Sequence, residues 1–163
     1  MFNFDFIMND DKTLLRKAVE LAKDGIRNGR GPFGALVVKE GNIIAEACNM
    51  VVLSHDPTAH AEVIAIRKAS DILKTHDLSD CVIYSSCEPC PMCLGAIYWS
   101  GIKKVVYAAG REDAEKAGFS DKLIYDEIPL DPGARKVAFI HIDDIEGKEV
   151  FREWNDFENK IRY

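Results

Sequence analysis

The sequence contains no apolar run approaching the roughly 20 residues that span a bilayer. Its opening, MFNFDFIMNDDK, has neither the basic start nor the long apolar stretch of a secretory signal. Membrane insertion and export are therefore not expected, and a cytoplasmic location is. Repeats, low-complexity tracts and linker-like stretches are also missing from the 163 residues. That suits one compact domain over 1–163 rather than an array or a multidomain chain. An excess of basic charge is missing too: 27 acidic residues against 21 basic ones leave a net charge of −6. Proteins whose main partner is nucleic acid draw much of their affinity from phosphate neutralisation, so no nucleic-acid partner is expected. Finally, there is no even, dispersed set of cysteines. Cys48, Cys81, Cys87, Cys90 and Cys93 are odd in number and the last three crowd together. This argues against a disulfide framework and for metal or thiol chemistry.

What is present is an ordinary globular composition, 47% hydrophobic and 29% charged, with clear alternation of element types. Residues 12–28 place Leu15, Ala18, Val19, Ala22 and Ile26 at helical spacing, which predicts an amphipathic helix ended by Gly29-Arg30-Gly31-Pro32. The stretch ALVVKEGNIIAEACNMVV reads as two strands around a turn at Glu40-Gly41-Asn42. Asp56-Pro57-Thr58 signals a helix start, and His60 to Leu73 carries a broad apolar face. A short strand over 82–86, a helix through PMCLGAIYWS, and strands over 103–109 and 136–143 follow. The tail puts Phe151, Trp154, Phe157 and Ile161 on one helical stripe. This order predicts an α/β fold with a central sheet of about five strands and helices on both faces.

Two segments carry chemistry: His60-Ala61-Glu62 and Pro89-Cys90-Pro91-Met92-Cys93. Pro91 fits the first turn of a helix, where a missing N–H costs nothing. Cys90 and Cys93 then lie one turn apart on the same face and can share one metal. The positive end of the helix favours their thiolate forms. His60, at the start of another helix, supplies a third ligand, while Glu62 two residues on points away from that ligand set. Three protein ligands leave a fourth tetrahedral position for water, the mark of a catalytic zinc rather than a closed structural one. Zinc brings the pKa of such a water to roughly 7, and a neighbouring carboxylate can carry its proton to a ring nitrogen and then to a leaving amine. A redox dithiol would leave His60 and Glu62 unexplained. A structural site would need a fourth Cys or His, for which Cys87 is the nearest candidate, although it also reads as a buried packing residue. Cys48 and Cys81 read as small core residues, and His55, His76 and His141 as structural or surface ones.

His-x-Glu followed by Pro-Cys-x-x-Cys is the signature of zinc deaminases acting on nucleobases. DPTAHAEVIAIRKA with SSCEPCPMCLGAIYWS resembles the cytidine deaminase superfamily. GPFGALVVKEG, the strand leading to Asn49, AGFSDKLIY and the terminal ENKIRY extend the likeness, more narrowly, to the bacterial guanine deaminases. The resemblance implies a three-layer α/β/α sandwich with a mixed sheet, one Zn2+ per subunit, and a small-molecule purine base as partner, guanine being hydrolysed to xanthine and ammonia. It also implies a homodimer in which the C-terminal segment, about 145–163, is exchanged between subunits. Carried over by position, Asn49 would hydrogen-bond the purine, and Phe33, Ala61 and Trp99 would touch it. Asp121 would read or protonate its amino group beside Glu62, and Tyr163 would cap the pocket.

Each of those residues has a plainer reading. Asn49 follows a strand and could satisfy turn backbone. Phe33 could be a core aromatic or a stacking surface for a flat ring. Trp99 ends an apolar helical stretch and could be core, Asp121 lies where solvated carboxylates are usual, and Tyr163 is the last residue of the sequence, a place where chains commonly fray. Asp131-Pro132-Gly133 is a candidate hinge that would let the tail either exchange or fold back. Competing functions are a guanosine or other nucleoside deaminase, a tRNA-specific adenosine deaminase using basic pairs such as Lys103 with Lys104 and Lys160 with Arg162, and a zinc-binding interaction domain without activity. The acidic balance opposes the tRNA reading. A carboxylate two residues from a ligand opposes the inactive one.

Overall fold

The structure, a computed structural model, describes residues 4–143 and 145–162. The chain divides into two compact units, Met1–Asp121 and Lys122–Tyr163. The first opens with α1 (Phe4–Arg27), followed by β1 (Gly34–Lys39) and β2 (Asn42–Cys48). Next come α2 (Val51–Ser54), α3 (Ala61–Leu73), β3 (Cys81–Cys87), α4 (Pro91–Trp99), β4 (Lys104–Ala109) and α5 (Arg111–Lys116). The strands form a four-stranded mixed sheet in the order β2-β1-β3-β4, with β1 antiparallel to both neighbours and β4 parallel to β3. The β1–β2 hairpin closes through Glu40 and Gly41, both at positive φ (49° and 78°). This two-residue connection matches the right-handed twist of the strands it joins.

Strand alternation assigns the two faces of β1. Ala35 and Val37 point into a cluster with Ala61, Ala65, Ile66 and Ala69 of α3, Ile97 of α4, and Ile83. Leu36 and Val38 point the other way, with Tyr84, into Ala18, Leu14, Leu15 and Leu21 of α1. The expected three-layer α/β/α sandwich is therefore present. Burial of the apolar side chains holds it together, at about 1.5–3 kcal/mol for each large one fully removed from water. The helix–sheet approach is tight at Gly34, where a β-carbon would lie 2.3 Å from the Ala18 carbonyl oxygen and 2.8 Å from the Ala22 nitrogen.

Two details depart from expectation. The sheet has four strands rather than about five, because residues 136–143 form none. Their apolar side chains are exposed, Ile140 by 84% and Ile142 by 77%. A strand exists only where a ladder accepts its backbone groups, and among the described residues no neighbouring strand does so. The second unit instead consists of α6 (Lys122–Glu127), a turn at Pro132–Ala134 on the Asp131-Pro132-Gly133 segment, and α7 (Ile145–Asp156). Within it the Arg135 guanidinium donates to the carbonyls of Leu130 and Ile128 and lies 4.8 Å over the Phe139 ring. Helix α7 ends at Asp156, so the apolar stripe continues past the helix to Phe157 and Ile161.

Candidate active site

The site is assembled at the starts of two helices. His60 occupies the N-cap of α3 in an extended conformation (φ −70°, ψ 152°), and Cys90 the N-cap of α4 (φ −65°, ψ 169°) with Pro91 behind it. Cys93 lies in the first turn of α4 and is fully buried. The three donor atoms form an equilateral triangle: Cys90 Sγ to His60 Nδ1, Cys93 Sγ to His60 Nδ1, and Cys90 Sγ to Cys93 Sγ are each 3.5 Å. A tetrahedral centre with edges of that length sits about 2.1 Å from each corner, within the range of zinc–nitrogen and zinc–sulfur bonds. Two sulfurs and an imidazole are also the donor set that zinc prefers. The residues therefore fit the metal that their spacing predicts.

The electrostatics agree. Its side-chain contacts with Cys93 and His60 pull the Cys90 thiol down to about 4 against the cost of its burial. Cys93, in contact with the Cys90 sulfur and buried, is pushed up. His60 is raised, chiefly by its bond to Cys90. A divalent cation held by both sulfurs would displace their thiol protons.

Glu62, in the first turn of α3, is 4% exposed. Its Oε1 accepts from Ser85 Oγ at 2.8 Å, and its Oε2 accepts from Cys93 Sγ at 3.4 Å. Burial raises its pKa, the shift expected of a carboxylate that must pick up and hold a proton. Cys87 stays out of the ligand triangle. Its buried thiol faces the Gly110 carbonyl and is raised by burial, as for a packing residue. Cys81 behaves likewise, pushed up to about 11 by burial and by Asp80. All five cysteines are free thiols.

The remaining predicted residues fall in different places. Asn49 is buried; its N–H donates to the Phe33 carbonyl, and its Oδ1 accepts from Val51 N–H at 3.1 Å. Turn backbone thus occupies its oxygen, while its amide nitrogen donates to no described residue. Gly31 leaves room for this side chain, since a β-carbon there would lie 3.0 Å from Asn49 Cγ and Oδ1. Phe33 is half-buried against the core and meets Phe119 edge-on, with centroids 5.0 Å apart. The carboxyl of Asp121 is raised by burial and then by the Cys90 thiolate, so it feels the charge of the ligand set. Ala61 is fully buried and packs in the core. Trp99 ends α4 with 72% of its surface exposed. Tyr163 lies outside the described residues.

Residues 8–109 match the cytidine and deoxycytidylate deaminase zinc-binding region. The chain belongs to this deaminase family. It is 52% identical over 153 residues to a guanine deaminase of Bacillus subtilis, covering 93% of this chain and 98% of that protein. An X-ray structure of guanine deaminase from the same organism superposes with a TM-score of 0.91 at 52% identity, with the same coverage. A tRNA-specific adenosine deaminase of Aquifex aeolicus is 45% identical over 95 residues, covering 58% of this chain and 63% of that protein. The deaminase fold thus carries a candidate zinc site of His60, Cys90 and Cys93 with a buried carboxylate beside it. Among the described residues, no helix of this deaminase is long and apolar enough to cross a membrane.

Two neighbours of the site escape a reading of the sequence alone. Phe119 reaches Phe33 across 86 positions of chain, and no local pattern announces the pairing. Ser85 sits in a β-rich run where a serine reads as filler; only the fold places it under Glu62.

Proposed function

We propose that this deaminase hydrolyses guanine to xanthine and ammonia, water adding to the ring carbon that bears the amino group. One observation carries the reading. A three-ligand metal set and a buried carboxylate meet at one point, in a chain whose likeness to a guanine deaminase runs through 93% of its length. When bound, zinc supplies a Lewis acid that brings the pKa of water to about 7. Glu62 moves the protons, with Oε2 on the side of the ligand sulfurs. It takes one proton from water and gives it to a ring nitrogen. It then takes the second from the new hydroxyl and gives it to the departing amine, leaving a carbonyl and ammonia. Its buried setting lets the carboxyl hold the proton between the two transfers.

Asn49 donates its amide nitrogen to the purine edge, Phe33 and Trp99 supply aromatic surface for the flat ring, and Asp121 reads or protonates the amino group. Tyr163 closes the pocket. The active form is a homodimer that exchanges the C-terminal segment. Supporting this, β4 ends the sheet with an outer edge that no described strand pairs, and the 136–143 stretch exposes apolar side chains that a lone chain leaves in water. Free thiols throughout fit a reducing, cytoplasmic setting.

Ammonia release from guanine, guanosine, adenine, cytosine, cytidine and a tRNA anticodon stem-loop tests the substrate. Guanine should be preferred; equal or faster turnover of a nucleoside or of the stem-loop would sink the free-base reading. Glu62→Ala should retain zinc and lose about 10²–10⁴-fold in turnover, and undiminished hydrolysis would remove Glu62 from its role.

A further inference from the structure

The C-terminal half of β3 carries two adjacent serines, Ser85 and Ser86, both buried. A hydroxyl taken out of water costs free energy unless it is bonded, so each needs a partner. Strand alternation turns them to opposite faces. Ser86 Oγ accepts from the Gly34 N–H at 3.0 Å and holds the start of β1. Ser85, paired in register with Ala35, has no exposed surface at all. Its hydroxyl donates to Glu62 Oε1 at 2.8 Å and lies 3.4 Å from the Cys87 N–H.

We propose that Ser85 is a positioning residue for Glu62: its hydroxyl pins one carboxylate oxygen to the sheet, so that the other stays turned toward the metal ligands. The proposal rests on Glu62 being the proton carrier.

The two carboxylate oxygens have different surroundings. Oε1 faces Ser85 on the sheet, and Oε2 faces Cys93 Sγ at 3.4 Å. The second contact depends on the thiol proton of Cys93. A cysteine that ligates a metal is a thiolate, with no proton left to donate. Of the two side-chain donors seen at Glu62, only Ser85 survives metal binding. The strand is stiffer than the side chain it holds, because β3 is paired on both sides, to β1 and to β4. Without the tether the carboxylate turns about its own side-chain bonds, and proton transfer tolerates little misplacement.

The test compares the zinc-loaded wild type with Ser85→Ala, Ser85→Thr, Glu62→Gln and the Ser85→Ala/Glu62→Gln pair. Ser85→Ala should keep one zinc per chain and a KM within about threefold of wild type, with kcat lower by about 10–100-fold, the usual effect of losing a group that orients a catalytic side chain. Ser85→Thr, which restores the hydroxyl, should recover most of that loss. The double variant should be no slower than Glu62→Gln alone, because the serine acts through the carboxylate. A crystal structure of Ser85→Ala should show the Glu62 carboxylate turned from its wild-type orientation. Unchanged kcat in Ser85→Ala, an equal rise in KM, loss of zinc, or additive losses in the double variant would each overturn the proposal. If wild type deaminates a base other than guanine, the substrate reading falls, while the same comparison on that base still decides the role of Ser85.

Discussion

Replacing Asp11 with alanine removes a group that ties α1 to two strands at once. Asp11 Oδ1 accepts from the Tyr84 hydroxyl of β3 at 2.6 Å, and Oδ2 accepts from Lys104 Nζ of β4 at 2.7 Å. Tyr84 is 3% exposed, so its hydroxyl would lose its acceptor in a buried setting, at a cost of about 1–3 kcal/mol. The Lys104 pair is half in water (side chains 46% and 20% exposed) and adds at most about 1 kcal/mol. Together Asp11→Ala should lose about 2–3 kcal/mol, or roughly 4–12 °C in Tm for a chain of this size. Tyr84→Phe, which removes the hydroxyl and leaves no orphan, should cost only about 1 kcal/mol. Urea denaturation followed by circular dichroism measures both. The pH dependence has a definite sign. Burial opposes ionisation of Asp11, but the bonds from Lys104 and Tyr84 win and hold its carboxyl below the ordinary 3.8. A depressed carboxyl stabilises the fold above its unfolded value and ceases to do so as pH falls through its folded one. The gap between wild type and Asp11→Asn should therefore be constant near neutrality and close below about pH 4. An Asp11→Ala variant within about 0.5 kcal/mol of wild type, or a gap that widens in acid, would refute the reasoning.

Gly34→Ala should destabilise by about 2–4 kcal/mol, because the new methyl meets backbone atoms of α1 that cannot move without shifting the helix; denaturant midpoints measure the loss. Chelation should abolish turnover, with zinc restoring it, and Cys93→Ser should lower the metal content read by atomic absorption. A Cys93→Ser protein that still holds one zinc per chain would contradict the ligand assignment. Ile140→Lys should shift the chain toward monomer in light scattering while leaving the sheet of the first unit folded. An unchanged dimer would place the interface elsewhere.

The chemistry of the site was legible because its spacing is local. Cys90 and Cys93 are a helical turn apart, Pro91 marks where that helix starts, and Glu62 follows His60 by two positions on α3. The same holds for the hairpin at Glu40-Gly41 and for the amphipathic stretch that became α1. Contacts that depend on register were not legible. Ser85 meets Glu62 only because β3 lies beside β1 and α3 packs over both. Nothing local in the sequence marks Gly34 as the point where Ala18 and Ala22 press against the sheet. The stretch 136–143 has the composition of a strand, but composition does not supply a partner, and the expected fifth strand is missing among the described residues of this sheet. Trp99 illustrates the converse, an apolar residue in a core-like helix that ends largely in water.

His60 and Cys90 stand 30 positions apart in the chain and each begins a different helix. A metal held between them closes that loop as a covalent cross-link would. By the chain-entropy reasoning used for disulfides, a closure of this length is worth about 3–4 kcal/mol against the unfolded state. A bound ion would thus be a clasp as well as a reagent. Metal starvation would then do more than silence the enzyme: it would loosen the first turns of α3 and α4, exposing the thiols of Cys90 and Cys93 to oxidation and the chain to proteolysis.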